Sequence, residues 1–349
     1  MAKAITTTVG CDLGDKESEL FLLQADGTGE RGRVKTTAAA MQAWFTRAPL
    51  HVVIEVGAHS RWVSELLKEL GHRVTVANPR RVQLISKSDS KDDRTDAELL
   101  ARLGRADEKL LSPVEHRGRS AQADLAVAKA RDILVTTRTK LVNHVRGTVK
   151  SFGERLSTCT AESFHRRTRK EVPADLEPAL APVYAALEQI EEQVKTLDRT
   201  IVRVAKKYPD VVPLSQPHGV GVLTALVYLL TIEDKQRFAK SRMAGAFLGL
   251  RPRRGKSSTI DPQLRITKAG DPFVRRLLVN SANHILGPFG QDSDLRRWGL
   301  RLSERGGKNA RKRAKVAVAR KLAVLMHRLW MTGEVYVPLG YRDCRPATA

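Results

Sequence analysis

Residues 6–14 read TTTVGCDLG, and this stretch decides the fold of the first part of the chain. A β-branched run that ends in glycine predicts a buried strand followed by a loop, with Asp12 near the carboxyl end of the strand. Two more strands are predicted at 19–23 (ELFLL) and 33–36 (RVKT), on either side of the turn signal ADGTGERG. The chain therefore begins with several strands in succession.

Further along, strands and helices alternate. Residues 51–57 (HVVIEVG) and 72–79 (HRVTVANP) predict strongly apolar strands, while residues 36–48, 59–70 and 80–87 predict helices. Strands followed by alternating strand and helix are typical of a mixed sheet flanked by helices. We therefore expect an α/β first domain, followed by a part that is mainly α.

Two long helices are predicted after the sheet. The first runs from Ser120 to about Val149, and the second from near Pro182 to about Lys206, because proline is tolerated only in the first turn of a helix. The apolar residues of the second helix follow the 4–3 spacing of a coiled coil; they are Val183, Leu187, Ile190, Val194, Leu197, Ile201 and Val204. A core helix of a bundle would show the same spacing. We favour a coiled-coil-like arm that joins subunits.

From Tyr208 onward the pattern is mainly helical. The motif QPHGVG at 216–221 predicts a tight glycine turn between two helices, as in helix-hairpin-helix modules that bind phosphate through backbone N–H groups. Gly219 and Gly221 are thus candidate nucleic-acid contacts, although an ordinary helix–helix turn fits equally well.

The breaks in the pattern predict three parts. Residues 1–118 would form the sheet domain and residues 119–207 the helical arm. Residues 208–349 would form a helical domain with a basic tail.

The composition restricts the class of partner. The 349 residues include 61 Lys and Arg against 38 Asp and Glu, which gives a formal net charge of +23 and favours nucleic acid. An anionic membrane surface is the alternative, but no apolar run reaches the roughly 18 residues that a spanning helix needs. Three widely spaced cysteines and an N-terminus without an apolar signal region predict a cytoplasmic protein without a membrane partner.

The segment SKSDSKDDRTDAELLAR at 86–102 is acidic within a basic chain. Its aspartates are Asp89, Asp92, Asp93 and Asp96. Asp93 and Asp96 would project from one face of the helix that follows. A helix N-terminus favours acids without any metal, so this pair alone is not decisive.

Two more acids, Asp12 and Glu55, lie on or at the end of apolar strands. A carboxylate near a core is costly unless it is paired, and several converging carboxylates suit Mg²⁺, with Mn²⁺ as the alternative. We therefore predict a divalent-metal site formed by Asp12, Glu55, Asp93 and Asp96.

A second candidate centre is the basic loop PRRGKSST at 252–259, which contains Ser257 and Ser258. A serine hydroxyl is a weak nucleophile unless it is activated, so these serines could equally be phosphate-binding or simply exposed groups. The cations predicted to contact nucleic acid lie around the loop and in the following motif, and they are Arg251, Arg253, Arg254, Lys256, Lys268, Arg275 and Arg276.

The ordered motifs VGCDLG, VVIEVG and KDDRTDAELLA resemble the RuvC-like, RNase H-fold domain of the DEDD insertion-sequence transposases of the IS110 family, which includes the Piv-type DNA invertases. QPHGVGVLTA, AGAFLGLRP, SS and RITKAGDPFVRRLLVNSA resemble the second domain of that family. The resemblance assigns the four acids to Asp12, Glu55, Asp93 and Asp96, and the serine nucleophile to Ser257. Ser258 stays an alternative, because Ser258 and Thr259 follow where the family commonly has glycine.

The resemblance implies an RNA-guided DNA recombinase that cuts and rejoins strands through a phosphoserine intermediate with Mg²⁺. Its partners would be donor and target DNA, a structured guide RNA and further copies of the chain in a dimer or tetramer. Two alternatives stay open: a RuvC-like endonuclease that uses metal-activated water, and a non-catalytic nucleic-acid-binding protein.

Overall fold

The computed structural model describes residues 7–78, 93–255, 262, 264–307 and 309–340, with the backbone alone at 93 and 94. The helix predicted at 80–87 lies outside the described residues, as do Asp89, Asp92, Lys256, Ser257 and Ser258. Contacts divide the chain into two compact units, and the boundary along the sequence lies between His116 and Arg117. The finer division at 118 and 207 stays a prediction.

The described residues of the first unit form a five-stranded sheet in the order β3-β2-β1-β4-β5. The strands are β1 (Thr8–Asp12), β2 (Glu17–Leu23), β3 (Gly29–Lys35), β4 (His51–Glu55) and β5 (Arg73–Ala77). Strands β1 to β3 are antiparallel, whereas β4 runs parallel to both β1 and β5. This mixed sheet confirms the predicted α/β class and is consistent with an RNase H-like fold.

Helices cover both faces of this sheet. α1 (Ala38–Phe45) and α2 (Ser60–Glu69) pack on one face in a core with Val9, Cys11 and Ile54. On the other face, α3 (Asp93–Ala106) packs against β1, β2 and β4. Because both faces are covered, β1 and β4 carry apolar residues in succession rather than in alternation.

The second unit is helical where the structure describes it. Its helices are α4 (Arg119–Ser151), α5 (Phe164–Arg167), α6 (Glu177–Ala205), α7 (Val211–Leu214), α8 (Val222–Ile232), α9 (Arg242–Phe247), α10 (Pro272–Leu286), α11 (Asp294–Ser303) and α12 (Ala310–Thr332). Almost all of α8 is buried, within a core that also includes residues of α4, α10 and α12. No helix in the described part of the chain combines the length and the apolarity that a bilayer crossing needs.

The predicted start of α6 near Pro182 is wrong. The helix begins at Glu177, with Pro178 in its first turn and Pro182 inside it. Pro182 is exposed, and its missing N–H costs one hydrogen bond to the carbonyl of Pro178. The helix continues because the residues on either side of Pro182, Leu180 and Tyr184, are buried in a common core with α4.

The apolar seam of α6 packs within its own chain. Leu187 shares a core cluster with Val142 and Val145 of α4, and Ile201 packs in the core that contains Leu125 of α4. Buried Glu191 also faces α4, where its carboxylate accepts a hydrogen bond of 2.5 Å from the Arg138 guanidinium. This packing is that of the helix bundle considered above, and a role in joining subunits stays a prediction.

Candidate active site at the carboxyl edge of the sheet

Asp12 and Glu55 lie at the carboxyl ends of two neighbouring strands. Strands β1 and β4 are parallel, and Cys11 pairs with Ile54. Asp12 and Glu55 follow these paired residues, so they occupy adjacent positions where β1 and β4 end. Both side chains are only partly buried. The carboxyl end of parallel strands is where α/β folds place ligands.

The close packing of α3 on β1 brings Asp96 to the same region. A Cβ added to Gly10 would lie 1.9 Å from the Ala97 carbonyl oxygen and 2.6 Å from the Ala101 nitrogen. Only glycine permits this approach of the helix backbone to the strand. Asp96 precedes Ala97, and Gly10 lies two residues before Asp12. The predicted pair Asp93 and Asp96 thus begins a helix that is fixed to the strand bearing Asp12.

Electrostatics link Glu55 with Asp96. Burial of the Glu55 carboxyl raises its pKa, and the negative charge of Asp96 raises it further. In the ionised state the two carboxylates repel each other in a partly desolvated position, and a bound cation would relieve that repulsion. The neighbouring Cys11 is fully buried, and its thiol pKa is raised by that burial and by Asp12, so Cys11 is inert as a nucleophile.

The described side chains do not by themselves complete a metal site. Among them, no three His, Cys, Asp or Glu side chains are close enough together to hold a metal ion. The side chain of Asp93, the fourth predicted ligand, lies outside the described residues. The donor set consists of carboxylates alone, which is the chemistry that Mg²⁺ and Mn²⁺ prefer. Both the ligand set and the metal stay predictions.

In the second unit, the loop that contains Ser257 begins and ends in a short antiparallel pair. The Arg253 N–H donates to the Arg265 carbonyl at 2.9 Å, and the Thr267 N–H donates to the Arg251 carbonyl at 2.8 Å. The side chains of Arg251, Arg253, Arg254 and Arg265 are exposed. Arg265 was not among the predicted contacts. Its backbone pairing with Arg253 shows that it lies beside the basic residues 251–254, and the sequence alone does not reveal this pairing.

Two glycines fix the base of this pair. Gly249 has a φ of +71°, and a Cβ there would lie 2.2 Å from the Ala269 carbonyl oxygen. Gly270 has a φ of +69°, and its Cβ would lie 2.4 Å from the Phe247 carbonyl oxygen. Lys268, which is a predicted nucleic-acid contact, lies two residues before Gly270. It has a φ of +54°, and its N–H donates to the Gly249 carbonyl at 3.0 Å.

Arg275 and Arg276 of α10 make contacts within the protein. The Nη1 of Arg275 donates to the carbonyls of Leu248 and Ala269 at 3.1 and 2.7 Å, and Arg276 pairs with Asp132 of α4. Arg275 therefore ties the end of α9 to the strand pair. A contact of either arginine with nucleic acid stays a prediction.

The motif QPHGVG forms the predicted tight turn. The Val220 N–H donates to the Pro217 carbonyl at 3.0 Å, and Gly219 has the positive φ of +87° that the third position of a type II turn requires. His218 of this turn lies 3.3 Å from His284 of α10, measured between their Nε2 atoms. Gly221 is exposed and precedes α8. The turn thus exists, while its binding of phosphate stays a prediction.

Comparison with known proteins decides the family. A family model for DEDD transposases of the IS110 type, described as "Transposase", matches residues 9–153, and a model described as "Transposase IS116/IS110/IS902 family" matches residues 213–294. The transposase for insertion sequence element IS1111A of Coxiella burnetii is 30% identical over 333 residues, which cover 90% of this chain and 88% of that protein. The chain belongs to the IS110 family of transposases.

Other relatives agree with this assignment. The transposase is 28% identical to a probable family 20 transposase of Pseudomonas aeruginosa, over 83% of this chain and 86% of the relative. It is 26% identical to the transposase for insertion sequence element IS1328 of Yersinia enterocolitica, over 79% of this chain and 83% of the relative. The first matched range of the transposase contains Asp12, Glu55 and Asp96, and the second contains the glycine turn and the arginine strand pair. Transposases act on DNA, as the basicity of the chain predicts.

Proposed function

We propose that this transposase is an RNA-guided DNA recombinase of an insertion sequence. It would use Ser257 as nucleophile, with Ser258 as the alternative, and a divalent cation held by Asp12, Glu55, Asp93 and Asp96. The observation that supports the proposal is the placement of three acids at one edge of the sheet. Asp12 and Glu55 end adjacent parallel strands, α3 with Asp96 packs on Gly10, and the charge of Asp96 adds to burial in raising the pKa of Glu55. Carboxylates that converge in a partly desolvated position, with a pKa perturbed by burial and by a neighbouring charge, mark a candidate cation site.

The acids would hold Mg²⁺, or Mn²⁺ in its place. When bound, the ion would supply positive charge against the non-bridging oxygens of a DNA phosphate. The protein's own contribution is to fix the carboxylates before the ion and the DNA arrive. Packing of α3 on Gly10 and the pairing of β1 with β4 support this role, because both constrain backbone rather than flexible side chains.

The serine would conserve the energy of the phosphodiester bond. Its Oγ forms a bond to the scissile phosphorus while the bond from phosphorus to a deoxyribose oxygen breaks. The serine proton is lost to solvent, and the leaving deoxyribose oxygen takes up a proton. The reverse attack by a deoxyribose hydroxyl on the phosphoserine restores a phosphodiester and frees the serine. No water is consumed, so strands can be rejoined. The exposed Arg251, Arg253 and Arg265 at the base of the serine loop would contact the phosphates.

The guide RNA and the assembly into a dimer or tetramer rest on the resemblance to the family and on charge. A net charge of +23 suits a protein that holds two polyanions at once. Base pairing would then read the DNA sequence, while the protein contacts the backbone of both nucleic acids.

A Mn²⁺ titration followed by electron paramagnetic resonance tests the metal site without requiring activity. Asp12→Asn, Glu55→Gln and Asp96→Asn are each expected to weaken Mn²⁺ binding by about tenfold or more. The matched control is Glu65→Gln, because Glu65 lies on α2 and pairs with Arg61. Binding unchanged in all three variants would overturn the metal site. Full recombination by these variants would instead show that these three acids are not needed for the reaction.

A further inference from the structure

A histidine and an aspartate meet across the two loops that follow the acid-bearing strands. Asp15 lies in the loop after β1, three residues beyond Asp12, and His59 lies in the loop after β4, four residues beyond Glu55. The His59 Nε2 is 3.5 Å from an Asp15 carboxylate oxygen. Because β1 and β4 are adjacent and parallel, both loops leave the sheet at the edge where Asp12 and Glu55 end.

The other nitrogen of His59 is occupied by an indole. The Trp62 Nε1–H donates to His59 Nδ1 at 3.0 Å, with the two rings perpendicular and their centroids 6.0 Å apart. An indole N–H can only donate, so Nδ1 must accept. The neutral imidazole therefore carries its proton on Nε2, which points away from Trp62.

The loop that carries His59 is held in place. The Ser60 hydroxyl donates to the Gly57 carbonyl at 2.8 Å and accepts from the Gly57 N–H at 3.0 Å, and Ser60 itself is fully buried. Asp15 differs, because its side chain is 94% exposed whereas that of His59 is 28% exposed. At 3.5 Å the contact between this exposed carboxylate and the imidazole Nε2–H is long, so Asp15 is readily displaced from a fixed His59.

We infer that His59 is a substrate-binding residue whose Nε2–H donates to a phosphate oxygen of the DNA strand at the acid edge. Asp15 would occupy that N–H in the absence of DNA, and a phosphate would replace one anionic acceptor with another. A protonated Nε2 cannot ligate a metal, which separates His59 from the four acids. This inference rests on the proposed function for the presence of DNA at this edge.

Two substitutions of His59 distinguish a contact made through Nε2 from one made through Nδ1. The amide nitrogen of glutamine reaches about as far as His Nε2, whereas that of asparagine reaches only as far as Nδ1. The assay is excision of the insertion sequence from a plasmid that carries the ends of that element. We expect the excision rate of His59→Asn to fall by about tenfold to a hundredfold, because this factor corresponds to the loss of one hydrogen bond to a charged group. His59→Gln should recover most of the lost rate.

Trp62→Phe tests the role of the indole while keeping a ring at the same place. Loss of the Nε1–H lets the imidazole proton move to Nδ1, and we expect an excision rate about two- to tenfold lower, the value of one neutral hydrogen bond. In His59→Asn and Trp62→Phe, Mn²⁺ binding should equal that of the unaltered transposase. A merely structural His59 would give equal losses in the Gln and Asn variants.

The outcomes separate this inference from the proposed function. If His59→Asn excises at the full rate while Glu55→Gln is inactive, the phosphate contact is overturned and the metal site stands. If His59→Asn loses Mn²⁺ binding, His59 belongs to the metal site and the inference is equally overturned. If Glu55→Gln excises at the full rate while the His59 variants behave as expected, the proposed metal function fails and the histidine contact stands.

Discussion

Asp12 and Glu55 lie at the ends of adjacent strands in a sheet covered on both faces, whereas Arg253 and Arg265 are exposed on a strand pair whose base is fixed by two glycines. In the first unit, backbone packing at Gly10 sets where the carboxylates lie. In the second unit, Gly249 and Gly270 set where the strand pair begins, and its arginine side chains are exposed. This contrast suits chemistry that needs a preorganised charge cluster and a strand of DNA held by adaptable cations.

The largest expected effect is at the glycine beneath α3. Gly10→Ala would force the backbone of α3 away from β1, because a Cβ there lies 1.9 Å from the Ala97 carbonyl oxygen. We expect a loss of about 2–3 kcal/mol in the free energy of unfolding, measured by urea denaturation, together with weaker Mn²⁺ binding. The matched control is Gly32→Ala, where the nearest atom lies at 3.8 Å. Equal stability of the two variants would mean that α3 is not fixed by Gly10.

A smaller effect is expected at the base of the strand pair. Gly249→Ala places a side chain at a φ of +71° and close to the Ala269 carbonyl, which should cost about 1–2 kcal/mol by urea denaturation. Gly255→Ala is the control, since among the described residues its Cβ would meet the end of the Leu264 side chain alone, at 3.0 Å. Mn²⁺ binding should be unchanged in both variants. A Mn²⁺ defect in Gly249→Ala would contradict a metal site formed by residues of the first unit alone.

The arginines should differ according to their partners. Arg253→Gln removes an exposed cation and should lower the salt dependence of DNA binding, log K against log[salt], by about 0.9. Arg275→Gln instead removes hydrogen bonds to the Leu248 and Ala269 carbonyls, and we expect it to lower stability with little change in that slope. Fluorescence anisotropy with a labelled duplex at several salt concentrations measures both slopes. The reverse ranking would place Arg275 in the DNA interface.

The smallest effect is a pH dependence of stability at Glu55. Its pKa is raised in the folded protein, so ionisation costs stability above that pKa and the cost disappears as pH falls below the ordinary range of a glutamate. Glu55→Gln removes this cost. In metal-free buffer it should unfold at a slightly higher temperature than the unaltered chain at pH 7, with the difference vanishing near pH 4. A difference that grows toward low pH would contradict the assigned cause.

The sequence predicted the sheet well because its signals are local. The apolar runs of β1, β4 and β5 identify strands directly, because Gly14, Gly57 and Pro79 follow them. Asp12 and Glu55 stand out at the ends of β1 and β4. The packing partner of α6 was harder to predict than its apolar seam. Buried Glu191 pairs with Arg138 of α4, and no apolar pattern marks such a position.

Other features depend on contacts between distant residues. The sequence predicted Arg275 and Arg276 as nucleic-acid contacts because they are adjacent cations. In the structure, Arg275 donates to the Ala269 carbonyl and Arg276 pairs with Asp132. The pair of Asp15 and His59 forms only because β1 and β4 are adjacent and parallel, which neither motif reveals alone. The metal ligands and the serine nucleophile stay predictions from sequence and family.

Trapping of a protein–DNA adduct tests the central proposal most directly. The transposase is incubated with a plasmid bearing its insertion sequence and Mg²⁺, denatured, and analysed for DNA covalently bound to protein. We predict an adduct that persists in Ser258→Ala and disappears in Ser257→Ala and, through loss of the metal site, in Glu55→Gln. Cleaved DNA with free ends and no adduct, or an adduct that survives the double variant Ser257→Ala, Ser258→Ala, would contradict the serine mechanism.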